Sequence, residues 1–305
     1  MPVDDDKDGG DNNNNDYVYE ALKIEYKDMA SWYDSFWKSY TDGTLKRPLD
    51  EVLKQMNTRD GTKFSLLDAG CGTGSLLRRL LDVVLYKFAS IDDRDCEDTL
   101  QLQLTGIEPS KEMLEQAHKK FANEEESTST TTIILNQSPA EQLTLDDESQ
   151  DMVVSTNAFH FFRDKERSLQ EMKRVLKQNG TIIIADWCND YWLVKLYHLL
   201  ERIRWNWRFK DKYPGPLSSS KLIDLFNTAG FCNIEHSVYR VRVFSIFFWG
   251  MQTIKATKSD DQTMWECEVC NMVSFEDYDD ALAHEKECIG ITNHDDLPKQ
   301  SPLIQ

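Results

Sequence analysis

The chain has 305 residues, of which 40% are hydrophobic and 11% aromatic, and its formal net charge is −18 at pH 7. This length and composition are typical of a globular protein with one sizeable domain and a small second module. The charge is concentrated at the two ends: residues 1–16 carry −5 and residues 259–305 carry −10, which leaves −3 for residues 17–258. A nearly neutral central domain disfavours a nucleic-acid-binding protein, which needs a broad basic face.

Cysteine usage and the first residues predict a protein of a reducing compartment. The seven cysteines are scattered and then clustered near the end, which is not the pattern of a secreted disulfide framework. Residues 1–16 are acidic and have neither the apolar stretch of a signal peptide nor the basic residues of a transit peptide. No apolar run approaches the ~18 residues of a membrane span. We therefore expect a cytoplasmic protein with a disordered acidic tail at residues 1–16 and no membrane span.

Between the acidic ends, the apolar pattern alternates between strands and helices. The expected strands are KFSLLDAG, LQLTGIEP, TTIILNQ, SQDMVVSTN, TIIIADW, FCNIEHSVYRVR and FFWGMQTIKATK. The expected helices are residues 75–88, a helix capped by Ser110, DKERSLQEMKRVLK closed by Asn179 and Gly180, and SSSKLIDLFNTAGF. Because the first five strands are apolar throughout, they predict a parallel sheet covered on both faces. The fold class is therefore α/β, a Rossmann-like doubly wound and mostly parallel sheet of seven strands, with an antiparallel pair at one edge.

A glycine-rich turn follows the first expected strand. DAGCGTG places Gly70, Gly72 and Gly74 at alternate positions before the next helix. In an open parallel sheet, ligands bind beyond the carboxyl ends of the strands, and glycines there let a ligand approach backbone N–H groups at a helix start. A turn without a ligand is one alternative. A dinucleotide site is another, but it uses G-x-G-x-x-G, and Asp68 ahead of the turn favours a cationic or zwitterionic ligand over a pyrophosphate.

This turn resembles the first motif, D-x-G-x-G-x-G, of the class I S-adenosylmethionine-dependent methyltransferases. The resemblance runs from about residue 26 to residue 258 and is closest to the ubiquinone and menaquinone biosynthesis group. Their A-x-x-Y-D-x-x-W helix matches residues 30–37, and their R-V-L-K segment matches residues 174–177. The resemblance implies a methyltransferase domain over residues 17–258 with S-adenosylmethionine as cofactor.

The resemblance also implies which residues contact the cofactor. They are Asp68, Gly70, Cys71, Gly72, Gly74, Glu108, Ala140 and Tyr33. Glu108 would accept hydrogen bonds from the ribose, with a surface acid as the alternative, and Tyr33 would close over the cofactor. Pro139 replaces the Asp that holds adenine in many relatives, so backbone groups near Ala140, or the side chain of Gln137, are the expected adenine contacts.

The acceptor is expected between the end of the fourth strand and residues 190–216. Methyl transfer is an in-line displacement, so the enzyme positions the acceptor and removes at most one proton. His160 is the candidate general base, with a packing role as the alternative. Residues 190–216 are expected to form a lid over a small aromatic or lipophilic acceptor. Their arginines (Arg202, Arg204 and Arg208) are candidates for an anionic group, and Cys188 is expected to be a structural or pocket-lining thiol.

Four metal-ligand residues follow at a regular spacing near the C-terminus. Cys267, Cys270, His284 and Cys288 form C-x2-C-x13-H-x3-C. Because His284 and Cys288 are four apart in a helical segment, they share a face and can complete a tetrahedral site. We expect a structural Zn²⁺ in a closed C2HC finger at residues 265–290, between a linker at 259–264 and a disordered tail at 291–305. Reduced thiols on a tail are the alternative.

Two other functions fit parts of the sequence. The acidic finger would repel phosphate and therefore favours a protein partner, so the chain could be a non-catalytic methyltransferase-like scaffold that presents the finger. An RNA methyltransferase is the third alternative. It is disfavoured because the charge count supplies no basic surface and because Asn157 is followed by Ala-Phe instead of the N-P-P-Y motif.

Overall fold

The computed structural model describes residues 24, 26–58, 63–89, 101–122, 131–209, 215–243, 247–259, 265–266, 274–275 and 284. The chain divides into two units, Met1–Lys258 and Ser259–Gln305. The tails expected at residues 1–16 and 291–305 and most of the expected linker lie outside the described residues.

The first unit contains one seven-stranded sheet. Its strands are β1 (Lys63–Ala69), β2 (Gln101–Ile107), β3 (Thr131–Asn136), β4 (Gln150–Thr156), β5 (Leu176–Trp187), β6 (Phe231–Val243) and β7 (Phe247–Lys258). Their order is β3-β2-β1-β4-β5-β7-β6. Strands β1 to β5 pair in parallel, and β7 runs antiparallel to both β5 and β6. The predicted doubly wound, mostly parallel sheet is confirmed.

Helices cover both faces of this sheet and precede it. They are α1 (Tyr33–Phe36), α2 (Lys38–Thr44), α3 (Lys46–Thr58), α4 (Ser75–Ala89), α5 (Lys111–Phe121), α6 (Lys165–Val175), α7 (Trp192–Phe209) and α8 (Ser219–Thr228), with a 3₁₀ turn at Phe159–Phe161. Three helices begin at side-chain caps: Ser110, Asp164 and Ser218 each accept a hydrogen bond from a backbone N–H three residues on. No helix within the described ranges is long and apolar enough to cross a membrane.

The strands bury both faces because successive side chains point to opposite sides. Leu67 and Ile182 pack into a core beneath α6 and α8, whereas their chain neighbours Leu66 and Ile183 pack into a second core beneath α4 and α5. This two-sided burial explains why the strands are continuously apolar in sequence.

The predicted end of α6 at Asn179-Gly180 is wrong. The helix ends at Val175, and β5 begins at the next residue. The register of β4 against β5 shifts so that Gln150 pairs with Leu176 and Met152 pairs with Thr181. Asn179 has a φ of 58° and lies in the resulting bulge. The same Asn-Gly pair that would cap a helix therefore marks an irregularity in a strand.

The described part of the second unit contains a two-stranded antiparallel hairpin, β8 (Trp265–Glu266) and β9 (Ser274–Phe275), in which Trp265 pairs with Phe275. His284 is also described and is half-buried. Cys267, Cys270 and Cys288 lie outside the described residues.

Candidate active site

A cavity that is open to solvent lies where β1, β2 and β4 end. The order of the strands reverses between β1 and β4, and this reversal is where ligands bind in doubly wound sheets. The lining comes from the glycine turn after β1, the end of β2, the end of β4 and the helices before the sheet. It includes Tyr26, Tyr33, Gly70, Cys71, Gly72, Glu108, Met113, Asn157, Phe161 and Phe162.

The glycines of the turn after β1 have different surroundings. All three have positive φ, of 77° at Gly70, 55° at Gly72 and 74° at Gly74. A Cβ on Gly70 would lie 2.5 Å from the Cβ of Ala158, and one on Gly74 would lie 2.9 Å from the ring of Phe121. At Gly72 the nearest atom to such a Cβ is 3.5 Å away. Gly70 and Gly74 thus allow close packing of the turn, whereas Gly72 leaves room for a ligand.

The expected exposure of the turn's backbone N–H groups is not observed at four positions. Gly70 and Cys71 both donate to the carbonyl of Ile107 at 2.9 Å, and Gly74 donates to Cys71. Gly72 donates to the carboxylate of Glu108 at 3.0 Å. These bonds hold the turn against β2, so these four N–H groups are already paired, and the turn leaves room for a ligand at Gly72.

Glu108 is held at the end of β2 by backbone donors. Its Oε2 accepts from Gly72 N, and its Oε1 accepts from Ser110 N at 2.9 Å. Burial raises the pKa of Glu108 to about 7, and the two backbone hydrogen bonds offset only part of this rise. The carboxylate lines the cavity and retains lone pairs for further donors.

Asp68 lies at the end of β1 and is only 1% exposed. Its Oδ1 has no hydrogen-bond partner within the described structure. Burial, together with repulsion from Glu108, raises its pKa to about 8. Asp68 is not among the residues that line the cavity. A nearby positive charge favours the ionised form of a buried carboxyl group, so this pair of acids is suited to a cationic ligand.

Helix α1 is tied to the glycine turn by polar contacts. Asp34 accepts a hydrogen bond from Thr73 Oγ1 at 2.5 Å and forms an ion pair with Lys120 at 2.8 Å. Burial opposes ionisation of Asp34, but the hydrogen bonds from Lys120 and Thr73 outweigh it and lower the pKa of this group. The neighbouring Tyr33 lines the cavity, and its pKa is raised by burial and by the charges of Glu108 and Asp34.

The adenine contacts expected after β3 do not line the cavity. Ala140 is buried in the core beneath α6 and α8. The side-chain amide of Gln137 donates to the carbonyl of Pro109 at 3.0 Å. Pro109 itself lines the cavity.

A second cavity, also open to solvent, adjoins the first and shares four lining residues with it: Tyr26, Tyr33, Asn157 and Phe161. Its other walls are mainly aromatic, with Trp37, Tyr40, Trp187 and Tyr197. Its polar side chains include Asp28, His160 and Arg204. Two neighbouring cavities with common walls can hold two small molecules side by side.

His160 and Asp186 form a buried dyad on the wall of the second cavity. His160 is 1% exposed, and its Nδ1 lies 2.6 Å from Asp186 Oδ1. The carboxylate also accepts from the backbone N–H groups of His160 and Trp187, at 2.6 and 2.7 Å. Because an ionised Asp186 accepts hydrogen bonds only, Nδ1 carries the proton and Nε2 has a free lone pair. Nε2 is buried and has no partner within the described structure.

Asn157 fixes the wall between the two cavities. It has a φ of 56°, which is uncommon for a non-glycine residue and frequent at functional sites. Its Oδ1 accepts from Tyr40 Oη at 2.7 Å, and its Nδ2 donates to Thr44 Oγ1 at 2.9 Å. Trp187 Nε1 in turn donates to Tyr40 Oη. Every polar side-chain atom in this hydrogen-bond network therefore has a partner, and the network holds the aromatic walls in place.

Helix α7 lies within the expected lid segment at residues 190–216. Arg204 lines the second cavity and forms an ion pair with Glu201 at 2.6 Å. Arg202 is exposed, and the side chain of Arg208 lies outside the described residues. Cys188 is buried beside Asp190 and Ser219 and lines neither cavity, as expected of a structural thiol.

Within the described ranges, no group of three or more His, Cys, Asp or Glu side chains could hold a metal ion. Of the four expected zinc ligands, only His284 belongs to these ranges.

Comparison with known proteins shows that part of this chain is similar to methyltransferases. Residues 67–184 match a family described as a methyltransferase domain. Residues 253–293 match a domain of unknown function, DUF7128. A solved structure from Thermotoga maritima, an S-adenosylmethionine-dependent methyltransferase titled a possible histamine N-methyltransferase, aligns with a TM-score of 0.54 and 20% identity, over 79% of this chain and all of that chain.

Curated relatives are similar over the same region. Over 211 residues the chain is 28% identical to a non-reducing polyketide synthase of Penicillium roqueforti, which covers 66% of this chain and 8% of the synthase. Over 179 residues it is 27% identical to an uncharacterized methyltransferase of Schizosaccharomyces pombe, which covers 57% of each chain. The chain thus spans less than two thirds of the length of these relatives. Residues 67–184 thus match a methyltransferase domain, and the sheet around them has the fold of a solved S-adenosylmethionine-dependent methyltransferase.

Proposed function

We propose that the protein transfers a methyl group from S-adenosylmethionine to a small aromatic or lipophilic acceptor. The observation that carries this proposal is the second cavity, whose walls are largely aromatic rings and which opens beside the cavity at the glycine turn. Aromatic walls favour flat or apolar molecules, and a few polar groups among them orient the ligand.

The first cavity fits the cofactor. When bound, S-adenosylmethionine supplies an electrophilic methyl group on a positively charged sulfur. Asp68 has a buried oxygen without a partner, and Glu108 presents a carboxylate that ribose hydroxyls can donate to. In this proposal Asp68 contributes negative charge near the methionine end, Glu108 holds the ribose and Tyr33 covers the cofactor. The surface of the turn at Gly70, Cys71 and Gly72, which lines the first cavity, lies along the cofactor.

His160 is proposed as the general base. Its Nε2 would accept the proton that the acceptor loses, while Asp186 keeps the proton on Nδ1 and stabilises the imidazolium that forms. The stacking of His160 on Trp187, with ring centroids 4.4 Å apart, keeps the imidazole in one orientation.

Calorimetric titration with S-adenosylmethionine and S-adenosylhomocysteine tests the cofactor site. We expect micromolar binding by the wild type, loss of binding in Asp68→Ala, and unchanged binding in Asp224→Ala, which removes an exposed carboxylate on α8. If the folded, zinc-loaded wild type binds neither compound, the proposed enzymatic function is refuted and the non-catalytic scaffold is favoured. If binding is observed, a screen of phenols, carboxylic acids and amines with labelled methyl donor tests the acceptor class.

We further propose that Cys267, Cys270, His284 and Cys288 hold a structural Zn²⁺. Zinc prefers a donor set such as three thiolates and one imidazole. Four protein ligands leave no open position on the metal for catalysis. The β8–β9 hairpin brackets the sequence that contains Cys267 and Cys270, which supports a small finger. Elemental analysis should give one zinc per chain. The double variant Cys267→Ser with Cys270→Ser should lose this zinc, and the control Cys232→Ser should retain it. Zinc-free, folded wild type would contradict this assignment.

A further inference from the structure

Helix α7 carries an apolar stripe that faces solvent. Six large apolar residues on it are between 47% and 84% exposed: Trp192, Leu196, Leu199, Leu200, Ile203 and Trp207. At 100° per residue these positions fall within about 100° of the helix surface. Val194 and Trp205 lie on the opposite side and are fully buried. The helix is therefore anchored to the domain by one face and presents a continuous apolar face outward, which a soluble surface rarely does.

Basic side chains flank this stripe on both sides. Lys195 and Arg202 fall along one edge and Arg204 along the other, and all three are exposed. In sequence, residues 192–212 contain six Lys and Arg against two Asp and Glu, whereas the whole chain carries −18. A basic and apolar helix in an acidic protein is suited to a partner that is both anionic and apolar.

We propose that this face of α7 docks on an anionic lipid membrane surface. The apolar stripe would enter the boundary between headgroups and acyl chains, while Lys195 and Arg202 extend to the lipid phosphates. A second copy of this chain is a poorer occupant because two basic faces would repel each other. RNA is also a poorer occupant, since four of the six stripe residues are Leu or Ile and cannot stack on bases.

The same helix forms part of the wall of the acceptor cavity. Tyr197 and Arg204, next to the edge of the stripe, line the cavity together with His160 and Trp187. A lipophilic acceptor dissolved in a membrane would therefore meet the cavity at the docked face. This extension rests on the proposed function, whereas docking itself does not depend on methyl transfer.

Flotation with lipid vesicles tests the docking. The full-length, zinc-loaded protein should float with vesicles of equal parts phosphatidylcholine and phosphatidylglycerol, remain unbound with phosphatidylcholine alone, and dissociate as salt is added. Leu200→Glu with Ile203→Glu should abolish flotation, and Arg202→Gln should weaken it by about fivefold. Tyr86→Glu places one negative charge, half of that in the double variant, on α4 at a residue that is 77% exposed, and should leave flotation unchanged.

Three outcomes would overturn the proposal. The first is that the folded wild type does not float, and the second is that the double variant at Leu200 and Ile203 floats as well as the wild type. The third is that the wild type is a dimer that the double variant converts to a monomer, because a second copy would then be the occupant. Calorimetry with S-adenosylmethionine on the same samples separates the two proposals. If the protein binds vesicles but not the cofactor, the docking proposal stands and the proposed methyltransferase activity is refuted. If it binds the cofactor but not vesicles, only the docking proposal is refuted.

Discussion

Asp68 and Glu108 should make cofactor binding depend on pH. Their pKa values are raised to about 8 and about 7 in the cofactor-free protein, mainly by burial. With a pKa of about 8, Asp68 is ionised in about a tenth of molecules at pH 7 and in about a hundredth at pH 6. If only the ionised form binds the cationic cofactor, the apparent Kd rises about tenfold per pH unit below 8, and Glu108 adds a further rise below pH 7.

The assay is calorimetry between about pH 6 and pH 8 in buffers of different ionisation enthalpy. Binding should release about one proton near pH 7, because the positive charge of the cofactor favours both carboxylates. The α-amino group of the cofactor also titrates near pH 8. Asp68→Asn is the control, because its remaining affinity should change with pH only through this amino group and Glu108. The reasoning would be refuted if the wild-type affinity did not change with pH, or if log Kd changed with pH equally steeply in the wild type and in the variant.

The same raised pKa predicts how the cofactor-free protein responds to pH. The folded state holds a proton on Asp68 that the unfolded state, with an ordinary pKa near 3.8, releases. The folded state therefore binds more protons between about pH 4 and pH 8, so stability falls as pH rises through this window. Asp68→Asn should flatten this decline and raise the Tm at pH 8, which differential scanning calorimetry would detect. A steeper decline in the variant would contradict the assignment.

Three further outcomes follow from the contacts of the site. Asp186→Asn should lower kcat by about 10²–10⁴, because His160 loses the acceptor that fixes its tautomer. The affinity for the cofactor should change little, whereas the pH profile of kcat should change. Asp34→Asn should weaken cofactor binding severalfold and speed its dissociation in stopped-flow traces, since it releases α1 from the glycine turn; unchanged rates would contradict this. Gly70→Ala should destabilise the protein by ~1–3 kcal/mol in urea, because of its positive φ and the contact with Ala158, whereas Gly43→Ala should be tolerated.

Local patterns predicted most of the first unit. The apolar runs gave the strands because a parallel sheet buries both faces of each strand. Ser110 caps α5 as its position before the helix indicated. The one clear local error, at Asn179-Gly180, has a physical reason: a residue with positive φ can end a helix or form a bulge in a strand, and only the pairing of β4 with β5 decides between them.

The sequence alone predicted the fold class and the glycine turn, because these depend on periodicity and on spacing within a few residues. Its resemblance to the class I methyltransferases predicted the cofactor. Tertiary structure alone decided which side chains meet across the cavities. Asp186 lies 26 positions from His160, and Asn157 lies 117 from Tyr40. No sequence pattern links such distant residues, since their contact results from the order in which the strands assemble. The solvent exposure of the stripe on α7 is of the same kind, because periodicity identifies an apolar face but only packing shows whether it is buried.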